Sequence, residues 1–184
     1  TKIIRQKAID LKATKYEAVA MIVEAANLGL ATDTWDAVPY LQATQPSLYP
    51  KPDLDAQETV YNEIFKLLDQ AIVKLDGTDD SGYSLGSEDL IYGGNYDKWK
   101  RAAYTLKARY QLHLLKRGKA STADILSNLS KGFTSNADNF VMKYPTDKLN
   151  PWYQNTILTR NTGNYFEAPS DQLISMMNGK YYPF

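Results

Sequence analysis

The sequence predicts an all-α fold of helical hairpins joined by long loops, and three observations carry that prediction. Apolar residues recur at three- and four-residue steps in four segments, which is the period of a helix with one buried face. Between these segments lie stretches dense in Pro, Gly, Ser, Asp and Asn, residues that interrupt regular structure. Alternation of apolar and polar residues is nowhere sustained, and a short strand is expected only at Asn139 to Met142.

Thr1 to Asp10 mixes charge and hydrophobicity as an amphipathic helix does. The first long helix is expected over Lys12 to Ala31, with Tyr16, Val19, Val23, Ala26 and Leu30 as its core stripe. Ala18, Ala20, Ala25 and Ala26 keep its flanks small, so a neighbouring helix can approach closely. Pro39, Pro46, Pro50 and Pro52 exclude a regular helix from Thr32 to Leu54. Trp35, at the helix end near Pro39, reads as a core anchor.

The second long helix is expected over Ala56 to Leu75, capped by Asp53 or Asp55. It would bury Val60, Ile64, Leu67, Ala71 and Leu75, a stripe widened by Tyr61, Leu68 and Ile72. After Asp76-Gly77, the Gly-, Ser- and Asp-rich stretch to Tyr96 predicts a long exposed loop, a natural place for function. Asp97 is then expected to cap a third helix, Lys98 to Lys116, with Trp99, Ala103, Leu106, Tyr110 and His113 on one face. Ser121 to Asp124 starts a shorter fourth helix that ends by Gly132. A last short helix, Asp171 to Met177, is capped by Ser170.

The 184 residues therefore read as a single partial domain, with 1–132 as helical scaffold and 133–184 as a loop-rich, ligand-side region. The aromatic end Tyr181-Tyr182-Pro183-Phe184 is expected to continue into a longer protein. Any signal peptide or lipid anchor would lie upstream of Thr1.

Composition narrows the function. Lys plus Arg and Asp plus Glu both number 21, and such a balance gives no field to attract nucleic acid or an anionic membrane. With no Cys and a single His, disulfides, thiolate metal sites and Cys nucleophiles are excluded. His113 reads as a buried or partly buried, hydrogen-bonded side chain. Asp76, Thr78 and Asp80 alternate like a calcium loop, but Ser81 stands where such a loop needs Gly and no bidentate Glu follows. No metal ligand set and no cofactor is assigned, with calcium the one ion left open. Asp79-Asp80 and Glu88-Asp89 are the adjacent carboxylates, and neither pair has the context of a glycosidase, so no catalytic residue is assigned.

Successive helix pairs with alanine-rich contact faces suggest tetratricopeptide-like hairpins, although the signature spacing of that repeat is not cleanly repeated. Three segments, in order, resemble the SusD/RagB family. The first is Thr32 to Tyr40 after the alanine-rich helix, where Trp35-Asp36-Ala37 departs from the family's Tyr-Gly-Asp. The second is Tyr61-Asn62-Glu63-Ile64-Phe65-Lys66-Leu67-Leu68-Asp69-Gln70-Ala71-Ile72. The third and most specific runs from Tyr92-Gly93-Gly94-Asn95 through Lys98-Trp99 to Leu106-Lys107-Ala108-Arg109. Asn150-Pro151-Trp152-Tyr153 and the helix after Ser170 also fall where that family places similar elements.

The resemblance implies a non-catalytic lipoprotein of the Gram-negative outer membrane, exposed at the cell surface and anchored through a lipid outside this chain. It implies capture of an oligosaccharide or other nutrient for a SusC-like, TonB-dependent transporter. A helical scaffold that binds only protein partners is the alternative, and a glycoside hydrolase the third reading.

Sugar recognition needs flat aromatic faces beside amides and Arg that satisfy hydroxyls. The stretch 150–166 holds that mixture, which makes Trp152, Tyr153 and Tyr165 candidate platforms, and Asn150, Asn155 and Arg160 candidate polar partners. Tyr83, in the other Gly-rich loop, is a further platform, while Tyr92 reads as structural.

Overall fold

The structure, a computed structural model, describes residues 1–144, 149–158, 161, 163 and 170–178. It divides into two units, Thr1–Val141 and Met142–Phe184. In the first, α1 (Lys2–Asp10) and α2 (Thr14–Trp35) form a tight hairpin. Lys12 turns it with φ 55, and the amide of Ala13 donates to the Ala8 carbonyl at 2.8 Å. Both alanines are buried, so the helices meet backbone to backbone. Next come α3 (Gln57–Asp76), α4 (Tyr96–Leu115) and α5 (Thr122–Leu129). Helix α2 is central, packed against α1, α3 and α4.

That position corrects the expected stripe of α2. Val19 is buried as expected, but two sides of the helix are covered, so burial also falls on Ala18, Met21, Ile22, Ala25, Leu28 and Thr32, while Leu30 points to solvent. Glu24 is buried as well, because Tyr40 and α1 cover it: the Tyr40 hydroxyl donates to Glu24 Oε1 at 2.7 Å and Arg5 Nε lies 3.5 Å from Oε2. Trp35 is no core anchor and stands 70% exposed. The Gln57 side chain at the start of α3 donates to the Thr32 carbonyl and Tyr61 and His113 reach Asp33, so the last turn of α2 is covered on that side, while Trp35, beyond the level at which α3 begins, faces solvent.

In α3 every residue of the expected stripe and of its widening is buried. Its cap differs: Ala56 holds that position without a side-chain bond. Asp55 instead accepts from the amides of Tyr40 and Leu41, each at 2.8 Å, and pairs with Val38 in the only β bridge among the described residues. A carboxylate shared by two loop amides closes the 38–55 loop more effectively than it would cap a helix that already starts well.

The 77–95 stretch is a loop with no buried residue, as expected, and two carboxylates tie it down. Asp79 accepts from the amide of Lys15 at 2.7 Å and from the Ser81 amide and hydroxyl; it thereby caps α2, which has no local side-chain cap. Asp89 accepts from the amides of Ile91, Tyr92 and Gly94 and from the Trp99 indole at 2.7 Å. Burial pushes the Asp89 pKa upward, but these four donors outweigh it and leave it below the ordinary value. Asn95 caps α4 by accepting from the amide of Lys98, with Asp97 in the first turn. Around Trp99, only 1% exposed, Tyr92 and Phe140 stack edge-on at 5.1 and 5.5 Å.

Residues 133–141 belong with the helical unit and no strand forms at 139–142. Buried Asp138 holds them: it accepts from the amide and hydroxyl of Thr134 and from Arg101 on α4, while its carbonyl accepts the Tyr92 hydroxyl at 2.6 Å. The Thr134 bonds, with Arg101 behind them, lower its carboxyl pKa to about 2. A depressed carboxyl stabilises the fold above its unfolded pKa, and that contribution fades as pH falls through the folded one. Urea midpoints should therefore drop between about pH 4 and pH 2, and Asp138→Asn should flatten that slope while lowering stability at neutral pH.

In the second unit, 151–158 is helical, with Tyr153–Leu158 in π geometry. The helix α6 (Asp171–Met177) is capped as expected, Ser170 accepting from the amide of Leu173. No described helix is long and apolar enough to cross a membrane.

Candidate functional site

The helix at 151–158 begins as its sequence dictates. Asn150 Oδ1 accepts from the amide of Trp152 at 2.8 Å and of Tyr153 at 3.4 Å. Pro151 follows at the first helical position, where its missing N–H costs nothing. Asn150 is thus a capping residue whose side chain orients the aromatic pair behind it. Trp152 is 73% exposed and Tyr153 43%, with Gln154 and Asn155 exposed on the same short helix. π-Helical turns widen the side-chain spacing and recur at functional sites. Exposed indole and phenol rings beside carboxamides can stack on an apolar ring face and bond its hydroxyls. Arg160 and Tyr165, with Asn164 and Phe166, lie outside the described residues.

Tyr83, 51% exposed, belongs to the first unit. It faces the α1–α2 hairpin across a cavity of about 270 Å³ lined by Ile4, Ala8, Leu11, Ala13 and Tyr16. Lys7 completes that lining, and no side-chain carboxamide is part of it. Tyr92 is structural, with its ring on Trp99 and its hydroxyl on Asp138. Among the described residues no three or more Asp, Glu or His side chains gather as a metal site; Asp76 is paired with Lys100 at 2.7 Å.

One further cavity went unread in the sequence. Between the first turns of α3 and the end of α4 lies a groove of about 560 Å³, with Phe65 and Leu114 on its floor and Asn62, Arg117 and Lys119 on its rim. Behind it, Tyr61 joins three helices. Its hydroxyl donates to Asp33 Oδ1 at 2.5 Å, and burial with that bond raises its pKa and keeps the proton on the phenol. His113 Nδ1, 2.9 Å from the phenol oxygen and 3.2 Å from Asp33 Oδ2, is consequently the donor in this cluster. His113 is hydrogen-bonded as expected, but the residue is exposed rather than buried. Glu58, Asn62 and Phe65 stand at i, i+4 and i+7, the one signal of this groove that α3 carries on its outward side.

The chain matches, over residues 1–183, the SusD-like family described as starch-binding and associating with the outer membrane. Solved structures agree. A SusD homolog from Bacteroides uniformis superposes with a TM-score of 0.75 at 28% identity, covering 97% of this chain and 37% of that one. A SusD/RagB family protein from Bacteroides thetaiotaomicron gives 0.69 at 31% identity, covering 81% and 30%. A chitin-binding protein gives 0.62 at 31% identity, covering 78% and 30%. This chain thus spans about a third of the length of these relatives. No curated protein matches significantly. A match along nearly all 184 residues, joined to a shared helical fold, makes this chain a member of the SusD-like family.

Proposed function

We propose that the protein is a non-catalytic, cell-surface glycan-binding component of a Gram-negative outer membrane, which captures oligosaccharide and passes it to a TonB-dependent, SusC-like transporter. The observation that carries the reading is the exposed pair Trp152 and Tyr153, held out by the Asn150 cap within a family match that covers 1–183. Starch-type and chitin-type oligosaccharides are the first ligands to try, from the family's description and from the chitin-binding relative.

Passive capture needs a ring face and hydroxyl partners, and no bond is made or broken. Of the adjacent carboxylates, Asp79 and Asp89 hold backbone amides, and Glu88 accepts the Tyr16 hydroxyl. Trp152→Ala should weaken oligosaccharide binding about tenfold in calorimetric titration, as loss of a single stacking anchor does. Because Trp152 is exposed, the far-UV spectrum should stay unchanged. Wild-type affinity in this variant would remove Trp152 from the site. Hand-off is tested by pull-down of a lipid-anchored form from solubilised outer membranes, where recovery of a TonB-dependent barrel is the expected result and recovery of none counts against it.

A further inference from the structure

We propose that the groove between α3 and α4 is a second oligosaccharide subsite, built for a neutral pyranose chain. The proposal rests on the glycan-binding reading above but places contacts on residues outside the 150–166 stretch.

Volume comes first: about 560 Å³ lies within the range of small-molecule sites. The floor is apolar, from the partly buried Phe65 ring and Leu114, which suits the C–H face of a sugar. The rim mixes donors and acceptors of both charges. Glu58 lies 3.0 Å from Lys119 in a pair whose side chains are both well exposed, and such pairs contribute little and exchange partners readily. Gln57 donates its Nε2 to the Thr32 carbonyl, which turns Oε1 toward Arg117 Nη1 at 3.4 Å. That long contact leaves guanidinium donors for a ligand. Asn62, exposed one turn from Phe65, adds a carboxamide with a donor and an acceptor.

Charge decides the class of ligand. An anionic ligand would meet the Glu58 carboxylate, and a cationic one would meet Arg117 and Lys119. A neutral chain of hydroxyls, each both donor and acceptor, can satisfy every rim group at once. Behind the floor, the Asp33–Tyr61–His113 cluster locks α2, α3 and α4 together, so the groove is preorganised and binding costs little ordering of the backbone.

The test is titration of the protein with maltoheptaose and with chitohexaose, followed by calorimetry and by backbone amide shifts. Phe65→Ala and Asn62→Ala should each weaken binding of one of these sugars about tenfold, with amide shifts at 57–65 and 114–119. Asn62→Ala, at an exposed helical position, keeps the fold even if Phe65→Ala does not. Wild-type affinity in folded Asn62→Ala, with shifts confined to 151–158, would overturn the groove and leave the glycan reading standing. Absence of any shift with either sugar would overturn both. Tighter binding of an oligogalacturonate at 57–65 would overturn the assignment to neutral sugars.

Discussion

Gly94→Ala should cost the fold at least ~3 kcal/mol, lowering the melting temperature by roughly 6–12 °C in a domain of this size. Two effects add. Gly94 has φ +83, a conformation that strains any side chain. A Cβ there would also sit 2.1 Å from the Leu85 carbonyl oxygen, a backbone atom that cannot step aside. Shifting Gly94 would in turn withdraw its amide from Asp89 Oδ2, now at 2.9 Å. The neighbouring Gly93 separates the two effects, because its φ is +60 but nothing lies within 4 Å of the place a methyl group would take. Gly93→Ala should therefore show backbone strain alone, about 1–2 kcal/mol. Thermal melts of the two variants side by side measure the steric contribution, and equal losses would show that the Leu85 contact can relax.

Trp99→Ala should be as damaging, at about 3–5 kcal/mol, the usual cost of emptying a large aromatic site in a core. Trp99 is also the hinge of a polar arrangement, since its indole donates to Asp89 while Tyr92 and Phe140 pack on its faces and edges. Trp99→Phe keeps most of the packing and removes the donor, which should cost about 1–3 kcal/mol by deleting a charge-assisted bond to Asp89 Oδ2, an oxygen that then keeps only the Gly94 amide. Urea unfolding gives both numbers from midpoints at constant slope. If Trp99→Phe were neutral, the Asp89 bond to the indole would be ornamental to stability and the three backbone amides would suffice.

Much of the scaffold was legible because helical burial is a local, periodic property. The stripe of α3 was read residue by residue, and Trp99, Ala103 and Tyr110 fell on the buried face of α4. Ser121 and Ser170 cap their helices through bonds to residues only three positions on. The same logic failed on α2, because a helix covered on two sides has no single stripe, and it misplaced Trp35, whose burial depended on where α3 begins.

The candidate site was legible in part. The stretch around Asn150 was expected to be loop, and the helix at 151–158 that carries the exposed Trp152 and Tyr153 was not read from it. What Asn150 does could not be read from its chemistry alone, since the same carboxamide can bond a ligand or cap a helix, and here the cap engages its oxygen. The α3–α4 groove could not be read at all, because Asn62 and Phe65 are separated from Leu114 and Arg117 by over a third of the unit's length.

By itself, then, the sequence determined an all-helical chain, the inward face of α3, the aromatic anchor of α4 and the family to which these motifs belong. The tertiary structure alone decided which carboxylates became structural. Asp55 reaches back to Tyr40, Asp79 to Lys15 and Asp138 to Arg101. Periodicity and capping report the interactions of a residue with neighbours a few positions away. A carboxylate that satisfies amides or a guanidinium tens of residues distant leaves no local pattern, and its role emerges only once packing has brought those donors to it.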